Sequence, residues 1–343
     1  MMFNDYFRGN GSSAWSRKVM SSVLFPIKKA NLLFRFLLVA TLIFAYACGD
    51  SDTVVVDFSK AVAVERTEKQ SPEPPRIRVA VGAMISPKET FIYYRQLLDY
   101  IGKGLGLEAQ LIQRKTYDEI NALFGKGAID LAFVCSGPYA NGKEKYGFEL
   151  LSTPQVHGSH FYRSYLIVNR DSLYHSLKDL KGMIFAFTDP DSNTGKLVPT
   201  YWLAKLGERP ETFFGKTIYT YSHDNSILAV AKGLVDGAAI DGLIWEYYHN
   251  NNPIFTSRTR VIRKSEPYGI PPLVTSRHLS SALKDRIRQL VLSMHLDPKG
   301  GEILKELMID RFIEPHEEWY ASIRQMAQEL ATLEKEIHAL SKP

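Results

Sequence analysis

Cysteine is scarce: the 343-residue chain has two, Cys48 and Cys135. That excludes a disulfide scaffold and a cysteine-rich metal site. His157-Gly158-Ser159-His160 brings two histidines close, but no further ligand follows at metal spacing. Neither a metal nor a cofactor is expected. No multi-span membrane pattern is present. An excess of one charge is also missing from most of the chain. The formal net charge is +5, yet residues 1–47 hold six of the 42 Lys+Arg and one of the 37 Asp+Glu, so the rest of the sequence balances. The body lacks the basic field of non-specific nucleic-acid binding, and no nucleic-acid partner is expected. What remains is 45% hydrophobic and 23% charged, an ordinary globular composition that rules out a disordered or collagen-like chain. The length suggests about two domains.

The basic N-terminus precedes an apolar stretch of twelve residues, Phe36–Ala47. This is short for a spanning helix, which needs about 20, and suits the core of a signal peptide. Small residues Ala45 and Ala47 stand directly before Cys48. Residues 1–47 therefore read as a signal peptide, with Met20 as an alternative start. That peptide either ends at a modified Cys48 or is a plain one, and an uncleaved N-terminal anchor is the other reading. Residues 48–75, ending in Ser71-Pro72-Glu73-Pro74-Pro75, read as a tether.

From residue 76 onward, strands and helices alternate. Arg76–Val81 is a strand. Ser86-Pro87-Lys88-Glu89 has a capping-box pattern and opens a helix to about residue 105. Glu108–Gln113 is the next strand, and Thr116-Tyr117-Asp118-Glu119 caps a second helix that stops at Gly125-Lys126-Gly127. Ile129–Cys135 is a buried strand. This order predicts an α/β sheet with parallel strands. Later come a strand at Met183–Phe187, a helix at Gly195–Leu206, a strand at Ile218–Tyr221, a helix at Asn225–Lys232 and a strand at Ala238–Asp241. After about residue 279 the pattern is purely helical: 280–296, 299–310 and an amphipathic 316–339.

An internal repeat locates a cleft. Tyr117–Ala132 aligns without gaps to His223–Ala238, with identities at Asp118/Asp224, Lys126/Lys232, Gly127/Gly233, Asp130/Asp236 and Ala132/Ala238. Thr116 and Ser222, both N-cap types, precede the two segments. Cap, helix, Lys-Gly stop and strand recur in order, so two lobes of one architecture are expected. In open α/β sheets ligands bind at the carboxyl ends of strands. Helix N-termini there present free N–H groups, a ready anion site. Tyr117 and His223 would hold equivalent first-turn positions. A third loop, Asp189-Pro190-Asp191-Ser192-Asn193-Thr194-Gly195, adds hydroxyl and amide donors. It lacks the spacing and terminal Lys-Ser/Thr pair of a nucleotide P-loop. Together these point to an oxyanion site.

The chain resembles the binding-protein component of bacterial phosphonate/phosphite/phosphate ABC transporters, a class of two-lobed periplasmic binding proteins. The matching pieces are Lys126–Ala132, Ser136-Gly137-Pro138-Tyr139, Tyr162–Val168, Ser176–Gly182, Asp189–Gly195, Ser222-His223-Asp224 and Val235–Asp241. The resemblance covers about 77–310. It implies an α/β clamshell of type II with C-terminal helices, and a small phosphorus oxyanion held between the lobes. It places Tyr117 and Tyr162 on one side of the ligand and Ser192, Asn193, Thr194 and His223 on the other, with Asp241 facing a ligand hydroxyl or ammonium group. Ala45-Tyr46-Ala47-Cys48 is similar to a lipobox, which implies a lipid on Cys48 and a place in the periplasm, tethered to a membrane. An ABC-transporter permease is the implied protein partner, and the chain is expected to be a monomer. Asn193 and Lys196 depart from the family's loop. Lys196 would favour a fully ionised anion if it points inward; a solvated lysine is the ordinary state.

The expected lobes are 76–160 plus 265–343, and 168–255, with hinge segments at 161–167 and 256–264. Two other functions fit the same residues: a sensor reporting to a membrane signalling partner, and a hydrolase using Cys135 with His157, His160 or His223. Cys135 ends a buried strand, where an inert core thiol is expected.

Overall fold

The computed structural model describes residues 75–82 and 84–340. The expected signal peptide, Cys48 and all of the tether before Pro75 lie outside the described residues. The chain begins with β1 (Arg76–Val81), α1 (Pro87–Leu105), β2 (Glu108–Ile112), α2 (Tyr117–Gly125), β3 (Leu131–Phe133) and α3 (Ser136–Tyr146). β4 (Phe148–Gln155) leads through β5 (Phe161–Tyr162) into β6 (Ser164–Asn169). Next come β7 (Ile184–Phe187), a π-helical turn over Asn193–Leu197, α4 (Val198–Ala204), α5 (Pro210–Phe213), β8 (Lys216–Tyr219), α6 (His223–Ala231), β9 (Gly237–Asp241) and α7 (Gly242–Asn251). The chain returns through β10 (Thr259–Lys264), β11 (Tyr268–Gly269) and β12 (Leu273–Ser276). It ends with α8 (Ser281–Ser293), α9 (Pro298–Glu306), β13 (Arg311–Ile313) and α10 (Ala321–Leu340).

Two sheets form the lobes, in the orders β13-β4-β12-β3-β1-β2 and β10-β6-β9-β7-β8. The parallel pairs are β1 with β2 and β3, and β7 with β8 and β9. The remaining partners run antiparallel. The parallel pairing expected of the first three strands is observed, and each sheet also carries antiparallel strands, so both sheets are mixed. The purely helical C-terminus is corrected: β13 pairs Phe312 with Pro154 at the edge of the first sheet. Three residues are too few to show a two-residue period, and only a partner distant in sequence makes them a strand. The expected hinge segments run into β6 (Ser164–Asn169) and β10 (Thr259–Lys264) of the second sheet. The two crossings between sheets meet at β5 and β11, where Tyr162 pairs with Tyr268.

Local chemistry explains the helices that frame the cleft. In α2 the Thr116 hydroxyl accepts from Glu119 N–H at 3.3 Å, and Glu119 accepts from Thr116 N–H at 2.9 Å. Both halves of the repeat end alike. Lys126 and Lys232 are the C-caps, and Gly127 (φ 71°) and Gly233 (φ 67°) take left-handed conformations that glycine adopts without strain. The box expected at Ser86 does not form. Ser86 caps α1 without a side-chain bond, and its N–H donates instead to Asp224 Oδ1 of the other lobe at 2.9 Å. The strand expected to reach Tyr221 ends at Tyr219, because Tyr221 turns to φ 59°.

Apolar side chains from α1, α2 and the strands fill the first lobe: Leu97, Leu98, Ile101, Ile120, Phe124, Val79 and Leu131 are buried. Each such side chain contributes roughly 1.5–3 kcal/mol. The amphipathic face of α10 buries Ile323, Met326 and Leu330. This helix packs on α3 of one lobe and α4 of the other. Among the described residues, no helix is long and apolar enough to cross a membrane.

Candidate functional site

The seven residues expected at the site lie at the carboxyl ends of strands or just beyond them. Tyr117 and His223 are the first residues of α2 and α6. Asn193 and Thr194 open the π-helical turn after β7, and Asp241 ends β9 and caps α7. Tyr162 lies on the β5 crossing. All seven are buried, none more than 4% exposed.

The lobes are latched across this space by named bonds. Tyr117 N–H donates to Asp189 Oδ2 at 3.1 Å, and His223 N–H donates to Met84 O at 2.9 Å. The first N–H of each cleft helix, expected to be free for an anion, is therefore used to hold the opposite lobe. Asn193 Nδ2 donates to Tyr162 Oη at 3.3 Å, and Tyr162 Oη also bonds Ser136 Oγ at 2.5 Å.

Ser192 is partly committed as well. Its hydroxyl oxygen accepts from Gly195 N–H at 3.0 Å, which starts the turn. Leu197 N–H then reaches back five residues to Ser192 O at 2.9 Å. The wide turn replaces the ordinary helical start expected at Gly195, as such turns often do at functional sites.

Four buried polar side-chain atoms in this region have no partner: Tyr117 Oη, Asn193 Oδ1, Thr194 Oγ1 and Ser222 Oγ. A buried group left in this way costs about 1–3 kcal/mol. Turning the Asn193 amide by 180° would let Tyr162 donate to Oδ1 and aim the NH2 inward, so the side chain can supply a donor. The Tyr117 hydroxyl is pushed well above its usual pKa by burial, with Cys135, Asp189, Tyr162 and Asp241 adding to the effect. It stays a neutral O–H.

His223 and Asp241 form one unit. His223 Nδ1 accepts from Asp241 N–H at 3.0 Å and lies 3.1 Å from Thr188 Oγ1. Burial lowers the imidazole pKa to about 3. The ring is neutral, and with Nδ1 an acceptor its proton resides on Nε2. Asp241 Oδ1 accepts from Leu243 N–H at 2.8 Å and Ile244 N–H at 3.4 Å. Burial raises this carboxyl to about 7, against those two bonds. It can hold a proton near neutrality.

The site thus offers neutral hydroxyls, one imidazole N–H and one carboxyl that takes or gives a proton. Such a set matches a tetrahedral oxyanion, whose oxygens accept and whose retained proton, if any, needs an acceptor. Lys196 follows these donors in the turn. Its ammonium sits 4.0 Å from the Phe187 ring centroid, and burial lowers its pKa. It is packed on an aromatic ring rather than being the fully solvated cation expected.

A family model described as "ABC transporter, phosphonate, periplasmic substrate-binding protein" matches residues 79–320. The chain belongs to this family. It is 30% identical over 179 residues to the phosphonates-binding periplasmic protein of Escherichia coli (strain K12), covering 51% of this chain and 53% of that one. It is 26% identical over 181 residues to a probable ABC transporter phosphite binding protein, PhnD1, of Prochlorococcus marinus (strain MIT 9301), covering 49% and 61%. The chain therefore spans between about half and three-fifths of these curated relatives. The solved structure of PhnD1 in complex with methylphosphonate matches with a TM-score of 0.68 at 21% identity, covering 75% of this chain and 99% of that one. That likeness shows the shared fold, the type II periplasmic-binding-protein clamshell.

In this family member the structure adds residues that the sequence reading did not assign to the site. Ser222 brings one of the unpartnered hydroxyls. Its place as the N-cap matching Thr116 was the available signal. Ser136, Thr188 and Asp189 position Tyr162, His223 and Tyr117, respectively. Ser136 and Asp189 lie in segments the sequence reading singled out, but their positioning roles act on elements remote in sequence, which local pattern does not encode. Cys135 is 3% exposed. Burial pushes the thiol up to about 11, so at neutral pH it is not the thiolate a hydrolase needs. Among the described residues no cluster of three or more His, Cys, Asp or Glu could hold a metal ion.

Proposed function

We propose that this chain captures a phosphorus oxyanion (a phosphonate, phosphite or phosphate) between its lobes and passes it to an ABC-transporter permease, without turnover. Tyr117, Thr194, Ser222 and His223 Nε2 donate to the oxyanion, and Asn193 joins them with its amide turned. Tyr162 orients Asn193, Ser192 holds the turn, and Asp241 shares a proton with the ligand. The observation that carries this reading is the set of buried polar atoms between latched lobes that have no partner in the protein. Opening would bend the crossings at β5 and β11. The chain acts as a monomer, with Cys48 carrying the lipid that keeps it at the membrane.

Calorimetry on the full chain in mild detergent tests this with phosphate, phosphite and methylphosphonate. At least one is expected to bind with one-to-one stoichiometry, and Tyr117→Phe and Thr194→Val each to weaken it more than tenfold. Binding of none of the three, or unchanged affinity in both variants, would overturn the site.

A further inference from the structure

A cavity of about 130 Å³ adjoins the site. It is walled by Met84, Phe133 and Val156 of the first lobe and by Leu243, Ile244 and Asp241 of the second. Tyr94, Tyr247 and Tyr248 add aromatic surface, and Leu307–Ile309 close one side. Among these lining residues there is no Lys, Arg or His, and Asp241 is the only acid.

Two residues place the cavity beside the oxyanion site. Asp241 lines it and gives its backbone N–H to His223 Nδ1. Met84 lines it and accepts the His223 N–H. A group bonded to an anion held at His223 and Asp241 would therefore project into apolar space. An engineered apolar cavity of roughly 150 Å³ stays dry and takes up benzene, so this one suits a group of a few carbons up to a phenyl ring.

We propose that the ligand is an organophosphonate with a small uncharged apolar substituent, seated in this cavity. The proposal rests on the oxyanion reading above and specifies its carbon side. An ammonium-bearing substituent fits poorly. It would be stripped of water among mostly apolar side chains, with the Tyr94, Tyr247 and Tyr248 rings and one carboxyl as its partners, and that carboxyl's Oδ1 already holds two backbone N–H groups. Inorganic phosphate or phosphite would leave the apolar walls without a partner.

Two ligands of nearly equal shape decide the matter: n-propylphosphonate and 2-aminoethylphosphonate. Calorimetry on the full chain with methyl-, ethyl- and n-propylphosphonate should show affinity rising about fourfold per methylene. The aminoethyl compound should bind at least tenfold more weakly than the propyl one. Val156→Phe, which fills the cavity, should flatten the methyl-to-propyl series.

A flat series in the wild-type chain, or aminoethylphosphonate equal to or tighter than propylphosphonate, overturns this inference while leaving oxyanion capture intact. A steep series that survives Val156→Phe in a variant that still melts cooperatively also overturns it, since the substituent would lie elsewhere. No binding by any of these compounds, nor by phosphate or phosphite, overturns both readings at once.

Discussion

The backbone N–H of Tyr117 in one lobe donates to the carboxylate of Asp189 in the other, at 3.1 Å. Asp189 is 1% exposed, and its second oxygen accepts from Asp191 N–H. A hydrogen bond to a charged group contributes about 1.5–3 kcal/mol, here to closure. Asp189→Ala is expected to weaken ligand affinity about ten- to hundredfold. The melting temperature without ligand should change less than the ligand-induced shift does. Calorimetry beside thermal melts checks this; equal affinity in the variant would show that the bond does not govern closure.

Gly137 of the first lobe packs tightly against Asp191 and Asn193 of the second. A Cβ there would sit 2.6 Å from Asp191 O and 2.9 Å from Asn193 N. Gly137→Ala should leave each lobe folded, since alanine is the better helix former, and should prevent full closure. Small-angle scattering with and without ligand is the measurement. Compaction of the variant equal to that of the wild-type chain would refute the expectation.

Thr194→Val and Ser222→Ala remove hydroxyls that have no partner in the protein. Deleting an unsatisfied buried group is neutral or stabilising, by up to about 1–3 kcal/mol. Both variants should melt at or above the wild-type temperature and yet bind the oxyanion more than tenfold more weakly. A lower melting temperature with unchanged affinity would mark these hydroxyls as structural.

His223 and Asp241 impose opposite pH dependences on stability. The folded pKa of His223 lies near 3, below its ordinary 6.5. The unfolded chain therefore binds more protons below about 6.5, and stability falls as the medium is acidified from 6.5 toward 3. Asp241 is raised from 3.8 to about 7. Here the folded chain binds more protons, and stability falls as pH rises from 3.8 to 7. Between about 4 and 6.5 the two slopes, each about 1.4 kcal/mol per pH unit, cancel. Asp241→Asn should make the melting temperature rise with pH across that window, and His223→Gln should make it fall. Above about 7 the ionised Asp241 repels an anion that brings no proton, so affinity should drop with further increase in pH. Parallel melting profiles in both variants would disprove the assignment.

Cys48→Ser should move the protein from the membrane fraction to the soluble one. Immunoblots of fractionated cells read this directly, and retention of the variant in membranes would show that another segment anchors it.

Much of the cleft was legible because short-range rules govern it. Thr116 and Glu119 close their box three residues apart, and the Lys-Gly stops of both repeats take the expected turn. The same spacing failed at Ser86, where Asp224 from the other lobe competes for the N–H. β12 and β13 escaped notice because their partners lie more than 100 residues earlier in the chain. The expectation of free helix N–H groups missed for the same reason. Tyr117 and His223 were correctly placed at helix starts, but Asp189 and Met84 take those donors. The apolar cavity joins residues from Met84 to Ile309, a proximity that periodicity does not encode.

The C-terminal strap has a mechanical consequence. Just before α10, Glu317 bonds Tyr139 and Lys143 of α3. Twelve residues along that strap, Glu329 accepts from Tyr201 of α4 at 2.5 Å. One rigid rod is thus fastened to both jaws. Wide gaping would have to break a fastening at one end or drag the rod along its seat, so under the proposed function the rod's travel would set how far the jaws part.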